Sequence, residues 1–335
     1  MSKYLLGTRG SALALTQSGM AGALVAEAGD FDVELKTVKT EGDVLTGPLS
    51  QMGGTGVFAA TLRMRILDST VDFAVHSLKD LPTMPAEGLV VAAIPEREDP
   101  RDALCARDGL TLEQLPEGAR VGTGSPRRAA QILALRPDIE IVDIRGNVGT
   151  RLARVKGLEE HGIAAHGLHG EKKLGALTGD CDAVVLAASG LIRLGKEGAI
   201  TEYLACDKVL PAPGQGALAL ETRSTEFGAE GDQPSELASA LVAVDHLETR
   251  LAVTAERALL RRLEAGCAAP VGAYGRIQDG SLVLDTLVAH PNGTRTLRHQ
   301  DSTSDMSVEA AYELGVRVAE ALLDQGAAEL AGLTL

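Results

Sequence analysis

Between Val71 and Pro82 an apolar run (Val71, Phe73, Ala74, Val75) stops abruptly at His76, Ser77, Leu78, Lys79, Asp80 and Leu81. β-Branched and aromatic residues favour a buried strand, and Pro82 with Pro85 forbids its continuation. His76, Lys79 and Asp80 therefore fall at a strand end, where open α/β sheets carry their ligands. Alone, the stretch also reads as a polar surface turn with a solvated Lys and Asp. What adds to it is a set of arginines at equivalent places: Arg9, Arg127 with Arg128, Arg145 with Arg151, and Arg193 each follow an apolar segment and a small-residue turn. Arginine's rigid fork binds carboxylates and phosphates in pairs, so the repetition points to a ligand carrying several such groups.

The elements that must position these residues follow a repeating strand, glycine turn, helix pattern. Leu5 and Leu6 lead through Gly7, Thr8, Arg9 and Gly10 to Ser11, a candidate N-cap for a helix over 12–28 that would set free backbone N–H groups beside Arg9. A strand over 33–38, a glycine-rich loop over 42–56 and a helix over 57–68 lead back to the opening strand. After a strand at 89–94, residues 95–101 (Pro95, Glu96, Arg97, Glu98, Asp99, Pro100, Arg101) look like a crossover between domains. Beyond it Val121 runs into Gly122, Thr123 and Gly124, with Ser125 as N-cap and Pro126 at the first helical position. Arg127 and Arg128 then sit in a first helical turn, where cations oppose the helix dipole unless an anion is bound. Strands at 139–144 and 183–187 deliver Arg145, Arg151 and Arg193 in the same way.

A second Pro/Gly crossover at 210–216 suggests that the chain leaves its first domain and later returns, making a hinged, two-lobed cleft. The domains expected are 1–96 with 216–234, 101–210, and 239–335. In the last, a helix over 244–264 carries Leu247, Leu251, Ala255, Leu259 and Leu263 on one stripe. Strands at 273–277 and 281–289 and a helix over 308–323 complete a small α+β domain. Residues 157–179 contain His161, His166, His169, Lys172 and Lys173, but with no acid or cysteine in a ligand pattern they read as a solvated loop.

A chain of 335 residues at 45% hydrophobic supports two or three cored domains, and no apolar run reaches a membrane span. Without a secretory signal the protein is expected in the cytoplasm. A net charge of −14 and 2% aromatics argue against nucleic acid, anionic membranes and base-stacking platforms. The four cysteines, Cys105, Cys181, Cys206 and Cys267, have neither zinc spacing nor disulfide density.

Cys267 stands between Gly266 and Ala268, ahead of Pro270, where a small thiol is ordinarily inert. Residues 264–272 (Glu264, Ala265, Gly266, Cys267, Ala268, Ala269, Pro270, Val271, Gly272), taken with 76–82, resemble the porphobilinogen deaminase family, the hydroxymethylbilane synthases. Stretches 8–15, 124–131, 145–152, 210–217 and 245–257 each look like a signature of that family, in the family's order. The resemblance implies two α/β domains like the lobes of periplasmic binding proteins and a small C-terminal α+β domain, with a dipyrromethane cofactor in thioether linkage to Cys267. It implies head-to-tail condensation of four porphobilinogen molecules with loss of ammonia, then hydrolytic release of hydroxymethylbilane. Asp80 matches the family's catalytic aspartate, expected to hold pyrrole N–H groups and stabilise the azafulvene-like cation. Arg9, Ser11, Lys79, Arg127, Arg128, Arg145 and Arg151 match cofactor-binding positions. Arg9, Arg145, Arg151, Arg193, Phe58 and Gln17 match substrate-binding positions.

A monomer is implied, with no metal and no partner beyond porphobilinogen. The chain departs from the family at Thr55 and Ala60, which stand where lysine is usual, so that a lid contact with substrate carboxylates is missing or supplied by Arg63. The stretch after Gly157 looks like an insertion. A solute receptor with two hinged lobes is the rival reading, but it has no use for a third domain presenting a thiol. A regulatory effector-binding module would need a DNA-reading helix or basic patch that the sequence lacks.

Overall fold

The computed structural model describes residues 2–38, 57–160, 179–229, 232–266 and 269–333. It divides into two compact units, Met1–Glu98 with Ala217–Leu251, and Asp99–Gly216 with Ala252–Leu335.

The first unit is built on a five-stranded sheet of β1 (Lys3–Thr8), β2 (Asp32–Thr37), β3 (Phe73–Ser77), β4 (Leu89–Ala93) and β10 (Leu218–Arg223), in the order β2-β1-β3-β10-β4. β1 is parallel to β2 and β3, whereas β10 runs antiparallel to β3 and β4. Successive residues of β3 face opposite sides. Phe73 and Val75 pack with Ala21 and Val25 of α1 (Ala12–Gly29) and with Leu237 and Leu241 of α6 (Glu236–Ala243). Ala74 packs with Leu62 and Ile66 of α2 (Val57–Leu67) on the other side. Because helices cover both faces, β3 is a continuous apolar run instead of an alternating one.

In the second unit, β5 (Asp102–Ala106), β6 (Arg120–Gly122), β7 (Glu140–Val142), β8 (Ala183–Ala187) and β9 (Glu202–Leu204) form a sheet ordered β7-β6-β8-β5-β9. It carries α3 (Pro126–Leu135), α4 (Val148–Leu152) and α5 (Ala188–Arg193). A separate antiparallel sheet of β11 (Val271–Gln278), β12 (Ser281–Ala289) and β13 (Thr296–Thr303) belongs to the same unit, with α8 (Val308–Asp324) and α9 (Ala327–Ala331). Ala130 of α3, Leu210, Leu287 and Ala289 form one buried cluster, which joins this meander to α3. The unit boundary falls inside α7 (Leu247–Arg262), whose stripe Leu251, Ala255 and Leu259 is wholly buried, as is Leu263 just beyond it, while Leu247 is exposed.

The helices expected over 12–28, 57–68 and 308–323 and the strands at 183–187 and 281–289 are present within a residue or so of those limits. No expectation from the sequence covered β5, β9, β10, β13, α6 or α9. β5 is buried at all five positions and follows a Pro-rich segment, so it has no alternation to reveal it.

Candidate active site

The first group of expected site residues gathers at the carboxyl edge of the first sheet. β1 and β3 are parallel neighbours (Leu6↔Phe73, Gly7↔Ala74), so the residues that follow both strands emerge on one edge. After β1 come half-buried Arg9 and Ser11, whose side chain accepts from Ala14 N–H and caps α1. After β3 a single 3-10 turn, Leu78–Asp80, presents half-buried Lys79 and exposed Asp80. Leu78 N–H donates to Ala217 O at 3.0 Å, tying the turn to the start of β10.

Two polar anchors fix the residues just before that turn. Ser77, on the α1 side, meets the amide of Gln17 at 3.3 Å. Gln17 is thus a buried brace between α1 and β3. On the α2 side, His76 Nε2 lies 3.1 Å from Glu221 Oε2. Glu221 is 2% exposed and also takes both arms of Arg63, with Nε 3.0 Å from Oε2 and Nη2 2.8 Å from Oε1. Burial by itself raises the Glu221 pKa, but hydrogen bonds with His76 and Arg63 override it and hold the carboxyl below its usual range. Arg63, read above as a stand-in for a lid lysine, has its fork engaged by Glu221 instead. Ala60 is exposed on α2; Thr55 and the side chain of Phe58 lie outside the described residues.

The second group lies in the second unit. Ser125 caps α3 by accepting from Arg128 N–H, and Pro126 opens the helix. The two arginines behind them are buried, Arg127 at 4% and Arg128 at 6% exposure, and both grip Asp102 at the start of β5. Arg127 Nη1 is 2.8 Å from Asp102 Oδ2; Arg128 Nη2 is 2.7 Å from Oδ1. Gln215 Nε2 adds a bond to Asp102 Oδ1 and another to Pro100 O, both of 2.8 Å. Burial would raise the Asp102 pKa, yet attraction to Arg127 and then Arg128 holds it well below the usual carboxylate range. The cations that oppose the α3 dipole therefore already have one internal counterion. Two guanidiniums against one carboxylate leave an excess positive charge.

Arg145 stands exposed in the neighbouring turn, its Nη2 3.2 Å from Asp143 Oδ2. A Cβ on Gly124 would come within 2.6 Å of Ile144 O, so these two arginine-bearing turns approach backbone to backbone only because residue 124 has no side chain. Arg151 closes α4 and donates from Nε to Gly146 O at 2.8 Å. Arg193 falls at the end of α5, where a cation suits the dipole, and not in the strand-to-helix turn that its place in the sequence suggested. Its Nη2 donates to Gly216 O at 2.7 Å, beside the Gln215 that reaches Arg128. Cys267 and the histidines at 161, 166 and 169 lie outside the described residues.

Asp102, Gln215 and Glu221 escaped the sequence reading. The available signal was a charged or amide residue set in or beside an all-apolar strand, which a buried partner must satisfy.

A family model described as the porphobilinogen deaminase dipyrromethane cofactor binding domain matches residues 5–229, and the model of that family's C-terminal domain matches residues 250–324. The chain belongs to the porphobilinogen deaminase family. The porphobilinogen deaminase of Cutibacterium acnes is 53% identical over 99% of this chain and 98% of its own length. That of Micrococcus luteus is 52% identical over 99% and 95%. Among solved structures, immunogenic lipoprotein A from Vibrio vulnificus is similar at a TM-score of 0.39 and 12% identity, over 72% of this chain and 93% of that one.

Porphobilinogen deaminases are transferases of tetrapyrrole biosynthesis, and this chain is one of them: a hydroxymethylbilane synthase with porphobilinogen as substrate and dipyrromethane as cofactor. The residues fit that cofactor. Its pyrroles carry acetate and propionate groups, and the second unit offers a buried excess of positive charge. Arg127 Nε, moreover, is buried with no hydrogen-bond partner among the described residues. No described helix is long and apolar enough to cross a membrane.

Proposed function

We propose that Asp80 is the catalytic carboxylate and Cys267 the thioether anchor of the dipyrromethane. Arg9, Ser11, Lys79, Arg127, Arg128, Arg145 and Arg151 bind cofactor carboxylates. Arg9, Arg145, Arg151, Arg193, Phe58 and Gln17 bind substrate, the buried Gln17 through its hold on Ser77. The reading is carried by one observation: a carboxylate exposed at the carboxyl edge of β3 directly after Lys79, on the edge that also bears Arg9 and the capped start of α1.

When bound, the dipyrromethane supplies the free pyrrole carbon to which the first substrate is joined. At each condensation the substrate's aminomethyl C–N bond breaks and ammonia leaves. The free α-carbon of the terminal pyrrole would then bond to the substrate's methylene and give up its own proton, with the residues named here holding the two rings in line. Asp80 accepts hydrogen bonds from pyrrole N–H groups and sets a negative charge against the cation left by ammonia, so its stabilisation grows toward the transition state. The arginines hold the acetate and propionate groups, and thereby the register of the growing chain. Three domains divide this work: residues 1–96 with 216–234 carry Asp80, 101–210 the arginine-rich lobe, and 239–335 Cys267. The enzyme works as a cytoplasmic monomer.

Intact mass after incubation with porphobilinogen tests the anchor. Wild type should gain two linked pyrrole units that Cys267→Ala lacks, and equal gains would refute it. Asp80→Ala should keep its circular dichroism and lose turnover by at least about a hundredfold, the low end for removing a group that stabilises developing charge; unchanged turnover would exclude Asp80 from the chemistry.

A further inference from the structure

We propose that Glu221 is a positioning residue for catalysis, acting through His76 to hold the turn that presents Lys79 and Asp80. This rests on the reading of Asp80 given above.

Glu221 is a nearly inaccessible carboxylate in the middle of β10, opposite Ala74 in the strand register, where an apolar residue would satisfy the core at no electrostatic cost. Its two oxygens are shared between Arg63 and His76. Arg63 neutralises the carboxylate from α2, a helix already seated by Leu62 and Ile66. His76, 8% exposed, is the last residue of β3 on that face of the sheet. Ser77, the last on the other face, is held by Gln17. The two residues immediately before the 3-10 turn are therefore held from opposite faces by polar side-chain contacts, in addition to the backbone ladder that pairs β3 with β1 and β10. The ion contact sets the distance of His76 from Glu221 and the hydrogen bond sets the orientation of Ser77, and the turn inherits both. A site built this way tolerates little looseness, since displacing a reacting group by ~1 Å costs about a hundredfold in rate.

Two variants test the assignment. Glu221→Gln keeps size and weakens the hold on both partners. Arg63→Met combined with Glu221→Met replaces the ion pair by apolar groups of similar length, an exchange buried pairs often tolerate, and frees His76 even if the first variant does not fold. Holoenzyme is mixed with porphobilinogen and quenched, and its bound pyrrole count is followed by intact mass. A merely structural role would leave a fraction of molecules inert and the remainder at the wild-type rate. Positioning predicts that every molecule advances, about tenfold to a hundredfold more slowly, in a single phase and equally at each elongation step. KM for porphobilinogen should stay within about twofold, because Glu221 touches none of the residues assigned to substrate carboxylates. A folded variant that elongates at the wild-type rate, or that shows the two-population pattern, overturns the proposal. Asp80→Asn run alongside separates the two readings: if it too elongates normally, the assignment of Asp80 fails, whatever the Glu221 variants do.

Discussion

The residue whose loss should be felt most widely is Asp102. It is fully buried, serves Arg127, Arg128 and Gln215 at once, and has no solvent to replace it. Asp102→Asn leaves two buried guanidiniums against a neutral amide, and breaking a buried pair in this way costs about 3–5 kcal/mol. Urea titration should show that loss. The pH dependence follows from the direction of the shift. A carboxyl whose folded pKa is depressed contributes stability that is complete above its unfolded value and drains as pH falls toward the folded one. Below pH ~4, the ordinary carboxylate value, wild type should lose stability more steeply than Asp102→Asn, by up to ~1.4 kcal/mol per pH unit for the one proton involved. Equal slopes would mean that Asp102 is not ionised in the folded protein. This residue also marks the limit of sequence reading. Arg127 and Arg128 were legible as an anion site from their place in a first helical turn, but nothing local to them says that their internal anion is Asp102, on a strand more than twenty residues earlier.

Among the elements, α3 depends most on its surroundings, since it carries both buried arginines and is braced by a hairpin. Gly293 in the β12–β13 turn has φ 75°, and a Cβ there would lie 2.7 Å from Ala130 O and 2.6 Å from Ala134 N. Both contacts are backbone atoms of α3, so neither can swing aside. Gly293→Val should therefore cost about 2 kcal/mol or more, adding steric overlap to the penalty of ~1–2 kcal/mol for a side chain in the left-handed region. Cofactor loading, read by intact mass, should slow as well, because α3 must shift to make room. A wild-type melting temperature for this variant would show that the hairpin does not brace α3. Asn292 and Gly293 are by themselves a turn-forming pair, and the cap of α3 was evident from Ser125 and Pro126. That the one presses on the other was not, because no local pattern encodes the meeting of segments so far apart in the chain.

At the scale of the whole molecule, two compact units raise the question of independent unfolding, and the thiols can answer it. Cys105 and Cys181 belong to one buried cluster of the second unit. Burial pushes Cys105 up to about 12 and Cys181, with the charge of Asp180 adding to burial, up to about 11. Thiolate is the reactive form, so at pH 8 neither should alkylate in the native protein, while half-exposed Cys206 should. In increasing urea, Cys105 and Cys181 should become reactive together, at the transition that opens the second unit. If that transition precedes loss of the remaining circular dichroism, the units unfold separately; protection persisting to the end of unfolding means one cooperative transition. Reaction of either thiol in the native state would contradict the packing described.

What the sequence determined by itself was local and periodic. The strand ending at His76, the capped starts of α1 and α3, the two Pro/Gly crossovers, the buried stripe of α7 and the ordered signatures of the family all follow from residues near one another in the chain. What only the tertiary structure decided was which charges are committed internally. Arg63 and Glu221 are 158 positions apart, and Asp102 and Gln215 are 113 apart. A buried charge must find its partner wherever the fold brings one, and strand order, not sequence proximity, sets that choice. The sequence thus showed arginines repeated at strand-to-helix turns and an aspartate, Asp80, at a strand end. The fold divided those arginines into ones held by internal carboxylates and ones, such as Arg145, that face solvent.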